Sequence, residues 1–161
     1  MSIDRRPLAR PVDHPAIHGT RMRTGVPLGS IRFPNRPESV RLARRFVELV
    51  AKAYDIEPVV ETAVLLVSEL TTNVTKHVRG ANNAKFQVVA SRIGKRVRVE
   101  VHDASSQFPV MRHSTTLDEY GRGLCLVREL AYNHGAYSLP YGKSTWFELV
   151  AWPDDIDNYV R

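Results

Sequence analysis

Glu69 and Asn73 lie four residues apart in a run whose apolar residues recur at helical spacing, which puts a carboxylate and an amide one turn apart on one face. The amide oxygen of Asn73 is a hard, neutral ligand suited to Mg²⁺, an ion that keeps several waters and is otherwise held by phosphates. Glu69 is placed to polarise an attacking group, either water or a protein hydroxyl. Farther on, Val97, Val99 and Val101 lead into Asp103 at a strand end, and Gly121-Arg122-Gly123-Leu124 opens a later helical pattern. Glycines there let the backbone approach phosphates closely, while the free amides and dipole of a helix start stabilise negative charge. Each feature alone has an ordinary reading: a polar helix face, a turn-initiating aspartate, a loop-to-helix junction. Taken in this order, they are what binding a nucleotide and its metal requires.

Other residues join the set on weaker grounds. Arg112 and Arg122 are able to meet phosphate oxygens through bidentate hydrogen bonds, although exposed arginines more often face only water. His77 continues the face of Glu69 and Asn73, but a histidine ending a helix is as often a partner of its C-terminal dipole.

These side chains need a scaffold. Ser30-Ile31-Arg32-Phe33 alternates as a first strand, closed by Pro34 and Pro37, which cannot donate to a ladder. From Glu38 to Tyr54 the spacing of Val40, Ala43, Val47, Val50 and Tyr54 predicts an amphipathic helix, broken at Asp55 to Pro58. A second helix is predicted over 59–77, with Val60, Ala63, Val67, Leu70, Val74 and Val78 as its buried stripe. Arg79 to Asn83 reads as a turn, and residues 85–92 and 96–102 as two strands hairpinned at Ile93-Gly94-Lys95. In the second of these, valines alternate with Arg98, Glu100 and His102, giving one apolar and one polar sheet face.

The polar stretch from Asp103 to Tyr120 is as long as loops become without a job, and it reads as a lid. Gly121 opens the third helix, with Leu124, Val127, Leu130 and Ala131 at helical spacing and Asn133-His134-Gly135 as its stop. A final hairpin joins residues 136–139 to 144–151. The order predicts an α+β fold, a two-layer α/β sandwich in which three helices cover one face of a mixed, mostly antiparallel sheet. Residues 1–27 are expected to be a flexible Pro/Arg-rich arm, 28–151 the folded domain, and 152–161 a tail.

At 161 residues and 43% apolar composition, one domain with one core accounts for the chain. The longest apolar stretch, Ala63 to Val67, is far short of the roughly 20 residues that span a bilayer. With no signal-like start either, a cytoplasmic location is expected. The lone Cys125 excludes an internal disulfide and, in an apolar pattern, is expected to be a small buried hydrophobe rather than a reactive thiol. Seven of the chain's 23 Lys and Arg residues fall in the first 36 positions, against only Asp4 and Asp13 of its 17 acidic residues. The net charge of +6 therefore belongs largely to the first 36 residues, and the basic arm within them reads as a solvated tail rather than a nucleic-acid clamp.

The segment from Glu69 to His77 resembles the N box, Asp103 the start of the G1 box, and Gly121-Arg122-Gly123-Leu124 the G2 box of the GHKL or Bergerat-fold ATPases. That class includes gyrase, MutL, histidine kinases and the anti-sigma-factor serine kinases. The short lid and the closing Gly142-Lys143-Ser144-Thr145-Trp146-Phe147-Glu148-Leu149 resemble most the small anti-sigma-factor kinase-like proteins of actinomycetes. The resemblance covers about residues 30 to 150 and implies a site for ATP and Mg²⁺. It implies that Asp103 accepts a hydrogen bond from the adenine amino group, that Glu69 is catalytic, and that Asn73 holds the metal. It adds His77, Ser105, Arg112, Gly121, Arg122, Gly123, Leu124 and Thr145 to the nucleotide site, leaving open whether Ser144 or Thr145 faces inward.

The chain departs from the family where D-x-G-x-G becomes Asp103-Ala104-Ser105-Ser106-Gln107, a change that narrows backbone freedom near adenine. The resemblance implies a protein serine/threonine kinase that phosphorylates a small antagonist protein and sequesters a sigma factor, with a homodimer possible through the sheet region. The altered G1 box motivates the alternative, a regulatory module that binds ATP or ADP without turnover.

Overall fold

A computed structural model describes residues 25–77, 84–106 and 119–153, with 119–122 as backbone only. The expected arm up to residue 24, the turn at 79–83, the lid from 107 to 118 with Arg112, and the tail from 154 lie outside the described residues.

The described chain runs β1 (Val26–Pro34), α1 (Glu38–Ala53), a short 3-10 turn (Glu57–Val59), α2 (Val60–His77), β2 (Lys85–Ile93), β3 (Arg96–Asp103), α3 (Glu119–Leu130), β4 (Asn133–Leu139) and β5 (Gly142–Val150). The strands form a sheet in the order β1-β2-β3-β5-β4. Every neighbour pairs antiparallel, so the sheet is antiparallel throughout rather than mixed. Two of the four pairings are tight hairpins, β2 with β3 and β4 with β5, and a two-residue connection permits no other direction. With three helices on one face, the architecture is the expected α+β sandwich.

The helices form where apolar spacing predicts them. Helix α1 buries Ala43, Val47 and Val50, and α2 buries Ala63, Leu66, Val67, Leu70 and Val74. They meet Phe86, Val88, Ala90, Val97, Val99, Val101, Phe147 and Leu149 from the sheet in one core. Asp55 ends α1 in the left-handed region (φ 55°) while the amide of Ile56 donates to the carbonyl of Ala51 at 3.0 Å and its side chain is buried. This is a Schellman-type stop with its apolar plug. Tyr54, expected in the buried stripe, lies just past that stop and is 40% exposed.

Several expected boundaries move. Strand β1 begins at Val26 rather than Ser30, because an edge strand tolerates Pro27 and a bulge between Pro27 and Gly29 absorbs the irregularity. Helix α3 starts at Glu119, so Gly121 lies inside its first turn rather than at its opening. Asn133-His134-Gly135 does not stop that helix; it begins β4. The amide of Ala131 still bonds Val127 at 3.0 Å, but that of Tyr132 already donates to Glu148 of β5 at 2.8 Å, so the sheet captures the chain first. Leu130 is 44% exposed and Cys125 is exposed too, since the buried side of α3 runs through Gly123 and Val127 instead.

Candidate functional site

The paired registers decide which side chains face the helices. Asp103 lies opposite Lys143, Val101 opposite Thr145, and Val99 opposite Phe147. Since residues two apart share a sheet face, Asp103, Lys143 and Thr145 lie on the helix-covered side with the buried valines. Ser144 points the other way, where its hydroxyl donates to Glu100 at 3.4 Å. Of the two candidates left open by the sequence, Thr145 is on the side of Asp103.

Asp103 is a buried carboxylate with an asymmetric set of partners. Its Oδ1 accepts from the Ser105 amide at 2.7 Å and from Lys143 Nζ at 3.1 Å. Its Oδ2 takes no hydrogen bond among the described residues. Gly142 makes this corner possible: at φ 146° it packs so closely that a Cβ would collide with the carbonyl oxygen of Asp103 and come within 2.9 Å of Ala104 Cα. The first strand turn after Asp103 is thus locked against the start of β5.

The second half of the site is the contact of α2 with α3. Gly123 is buried, and a Cβ there would collide with Glu69 Oε2 and lie 3.3 Å from Glu69 Cδ. Glu69 is therefore laid against the glycine backbone of α3, with half-buried Asn73 one turn farther along α2. His77 is exposed as the last residue of α2. Leu124 packs half-buried against the core, and Gly121 and Arg122 lie in the first turn of α3 as backbone. Among the described residues no three His, Cys, Asp or Glu side chains gather as a metal cage; a Mg²⁺ held by Asn73 and phosphates would need none.

The opposite sheet face is polar, as the alternation in β3 predicts, yet it is not solvated. Arg98 and Glu148 are buried and paired, with Nε to Oε1 at 2.9 Å and Nη2 to Oε1 at 2.8 Å, and the guanidinium stacks 3.8 Å above the Trp146 ring. Arg96 Nε lies 3.0 Å from Glu148 Oε2 without hydrogen-bond alignment, a charge contact only. Gly135 leaves room for the same indole, since a Cβ there would lie 2.8 Å from Trp146 Cζ2.

Glu100 Oε2 on this face contacts His102 Nε2 at 2.8 Å and accepts from the Tyr137 hydroxyl at 2.6 Å. Burial pushes the Glu100 carboxyl up, but the hydrogen bonds from His102 and Tyr137 and the charges of His102 and Arg98 together hold it below the usual range. Burial, then the bond to Glu100, pushes the Tyr137 phenol up to about 12.

The residues fit a nucleotide and its metal. Among the described residues, one oxygen of a buried aspartate accepts no hydrogen bond, a Cβ-free surface lies beside a carboxylate, and Asn73 carries an amide oxygen suited to an ion whose other ligands are phosphate and water. The structure gathers Glu69 with Gly123 and Asp103 with Ser105; Arg112 is outside the described residues. Sequence reasoning missed Lys143 altogether. Its one signal was parity, since it stands two residues before Thr145 and four before Phe147 on a strand whose inward face those residues define.

No curated protein matches the chain. The family profile of the histidine kinase-like ATPase domain matches residues 33–147, which run from the end of β1 into β5 and hold Glu69, Asp103 and Gly123 together. The chain, matched over more than half its length, belongs to the histidine kinase-like ATPase domain family.

Proposed function

We propose that this chain is a Mg²⁺-ATP-dependent protein serine/threonine kinase of the anti-sigma-factor type, working in the cytoplasm on a small antagonist protein and holding a sigma factor in the alternative state. Family membership implies ATP binding. The observation that supports the catalytic part of the reading is the seating of Glu69 against Gly123 in the second turn of α3, which sets a carboxylate beside Cβ-free backbone that a phosphate can approach closely.

In this reading Asp103 accepts from the adenine amino group, with Ser105 and Thr145 beside the base. Gly121, Arg122, Gly123, Leu124 and Arg112 meet the phosphates, and His77 completes the α2 face. Asn73 holds Mg²⁺ through its amide oxygen. Glu69 orients and takes the proton of the attacking serine or threonine hydroxyl. ATP supplies the phosphoryl group and leaves as ADP.

A second reading is a regulatory module whose partner binding depends on ATP or ADP without turnover. It is favoured by the engagement of Asp103 Oδ1 by Lys143 and by the loss of both G1 glycines. Labelled ATP and the antagonist protein separate the two. The kinase yields phosphoserine or phosphothreonine that disappears in Glu69→Ala; tight ATP binding with no transfer to the correct antagonist would leave the module.

A further inference from the structure

The ends of β3 and β5 hold two unmet hydrogen-bonding capacities side by side. The Lys143 and Asp103 side chains are 9% and 2% exposed, and Nζ meets Oδ1 at 3.1 Å. An ammonium carries three donors and a carboxylate several acceptor sites. Among the described residues, Lys143 has Asp103 as its sole partner, and Asp103 Oδ2 accepts nothing. Burying an ammonium for one bond is costly unless something else takes its remaining donors. The register puts both groups on the helix-covered face at the same height. A ligand edge that satisfies them must present a donor next to an acceptor.

We propose that Lys143 is a base-specificity residue that donates to N1 of adenine while Asp103 Oδ2 accepts from the N6 amino group. This rests on the ATP-binding reading above and deepens it. Adenine offers a donor at position 6 beside an acceptor at N1, which matches Asp103 and Lys143 in order. Guanine in the same position reverses both, setting O6 against the carboxylate and N1–H against the ammonium. A site built to hydrogen-bond one edge rejects the other because its buried polar groups are left unpaired. The ion pair to Oδ1 aims the ammonium, and the Ser105 amide fixes the carboxylate that does the aiming.

The test is calorimetric titration of the wild-type chain with Mg²⁺ and ATP, 1-deaza-ATP, in which N1 becomes C–H, and GTP, repeated with Lys143→Met. In wild type, 1-deaza-ATP should bind about ten- to hundredfold more weakly than ATP, the cost of one hydrogen bond to a charged group, and GTP, which reverses both contacts, more weakly still. In Lys143→Met, ATP and 1-deaza-ATP should bind alike. Equal binding of ATP and 1-deaza-ATP to wild type, or of ATP and GTP, would overturn the assignment while leaving ATP binding intact. No ATP binding at all would remove both readings. The wild-type comparison holds even if the methionine variant does not fold.

Discussion

Gly123 of α3 rests on the carboxylate of Glu69 of α2, so closely that any side chain at 123 would occupy the place of Oε2. Helix propensity alone favours alanine over glycine by about 1 kcal/mol. Gly123→Ala should therefore stabilise the chain if the contact were loose. We expect displacement of the Glu69 carboxylate, the flexible end of a half-buried side chain, to cancel most of that gain and to weaken ATP binding, read by urea unfolding and calorimetry. A stabilised variant with unchanged affinity would separate α3 from Glu69.

Gly142 and Gly94 both sit at positive φ, but only Gly142 is crowded: Gly94, at 59°, has nothing near the place of a Cβ. Gly94→Ala should cost about 1–2 kcal/mol, the left-handed penalty alone. Gly142→Ala should cost clearly more, because it also pushes the backbone of Asp103 and Ala104 aside. Equal unfolding midpoints would mean that the β3–β5 corner is soft.

The Arg98–Glu148 pair is buried, and removing one member leaves the other charge uncompensated. Glu148→Ala is expected to destabilise by about 3–5 kcal/mol, with part recovered by adding Arg98→Met. A loss under about 1 kcal/mol, the range of exposed pairs, would show that the face is hydrated.

The Glu100 and Tyr137 shifts predict opposite pH limbs. The Glu100 carboxyl lies below its unfolded value of 4.5, so its contribution is present above that value and fades as pH falls through the folded one. Tyr137 is raised from 10.0 to about 12, so its contribution is complete below pH 10 and is lost as pH rises through 12. The melting temperature of Tyr137→Phe relative to wild type should therefore converge between pH 10 and 12, and that of Glu100→Gln should converge in acid. Parallel curves would contradict the cluster.

Much of this was legible because periodicity is local. Helices α1 and α2 and the β2–β3 hairpin follow from spacing that a few neighbouring residues settle, and Glu69 and Asn73 fall on one face from the same rule. What was illegible depends on partners far along the chain. The alternation in β3 marks a polar face but not its partners, and Arg98 finds Glu148 50 residues away. Asn133-His134-Gly135 carries helix-stop chemistry, but its glycine is needed beneath Trp146, a cross-strand fact. Lys143 falls in the turn of the final hairpin by its local sequence, whereas its carboxylate partner comes from another strand.

The most direct test of the central claim, a nucleotide site between α2, α3 and the β3–β5 corner, is a calorimetric titration with Mg²⁺ and ATP of the wild-type chain and of Asp103→Asn. The account predicts saturable one-to-one binding that raises the melting temperature and weakens at least about tenfold in the variant. Absence of both heat and a melting shift at saturating ATP, or full affinity in Asp103→Asn, would contradict it.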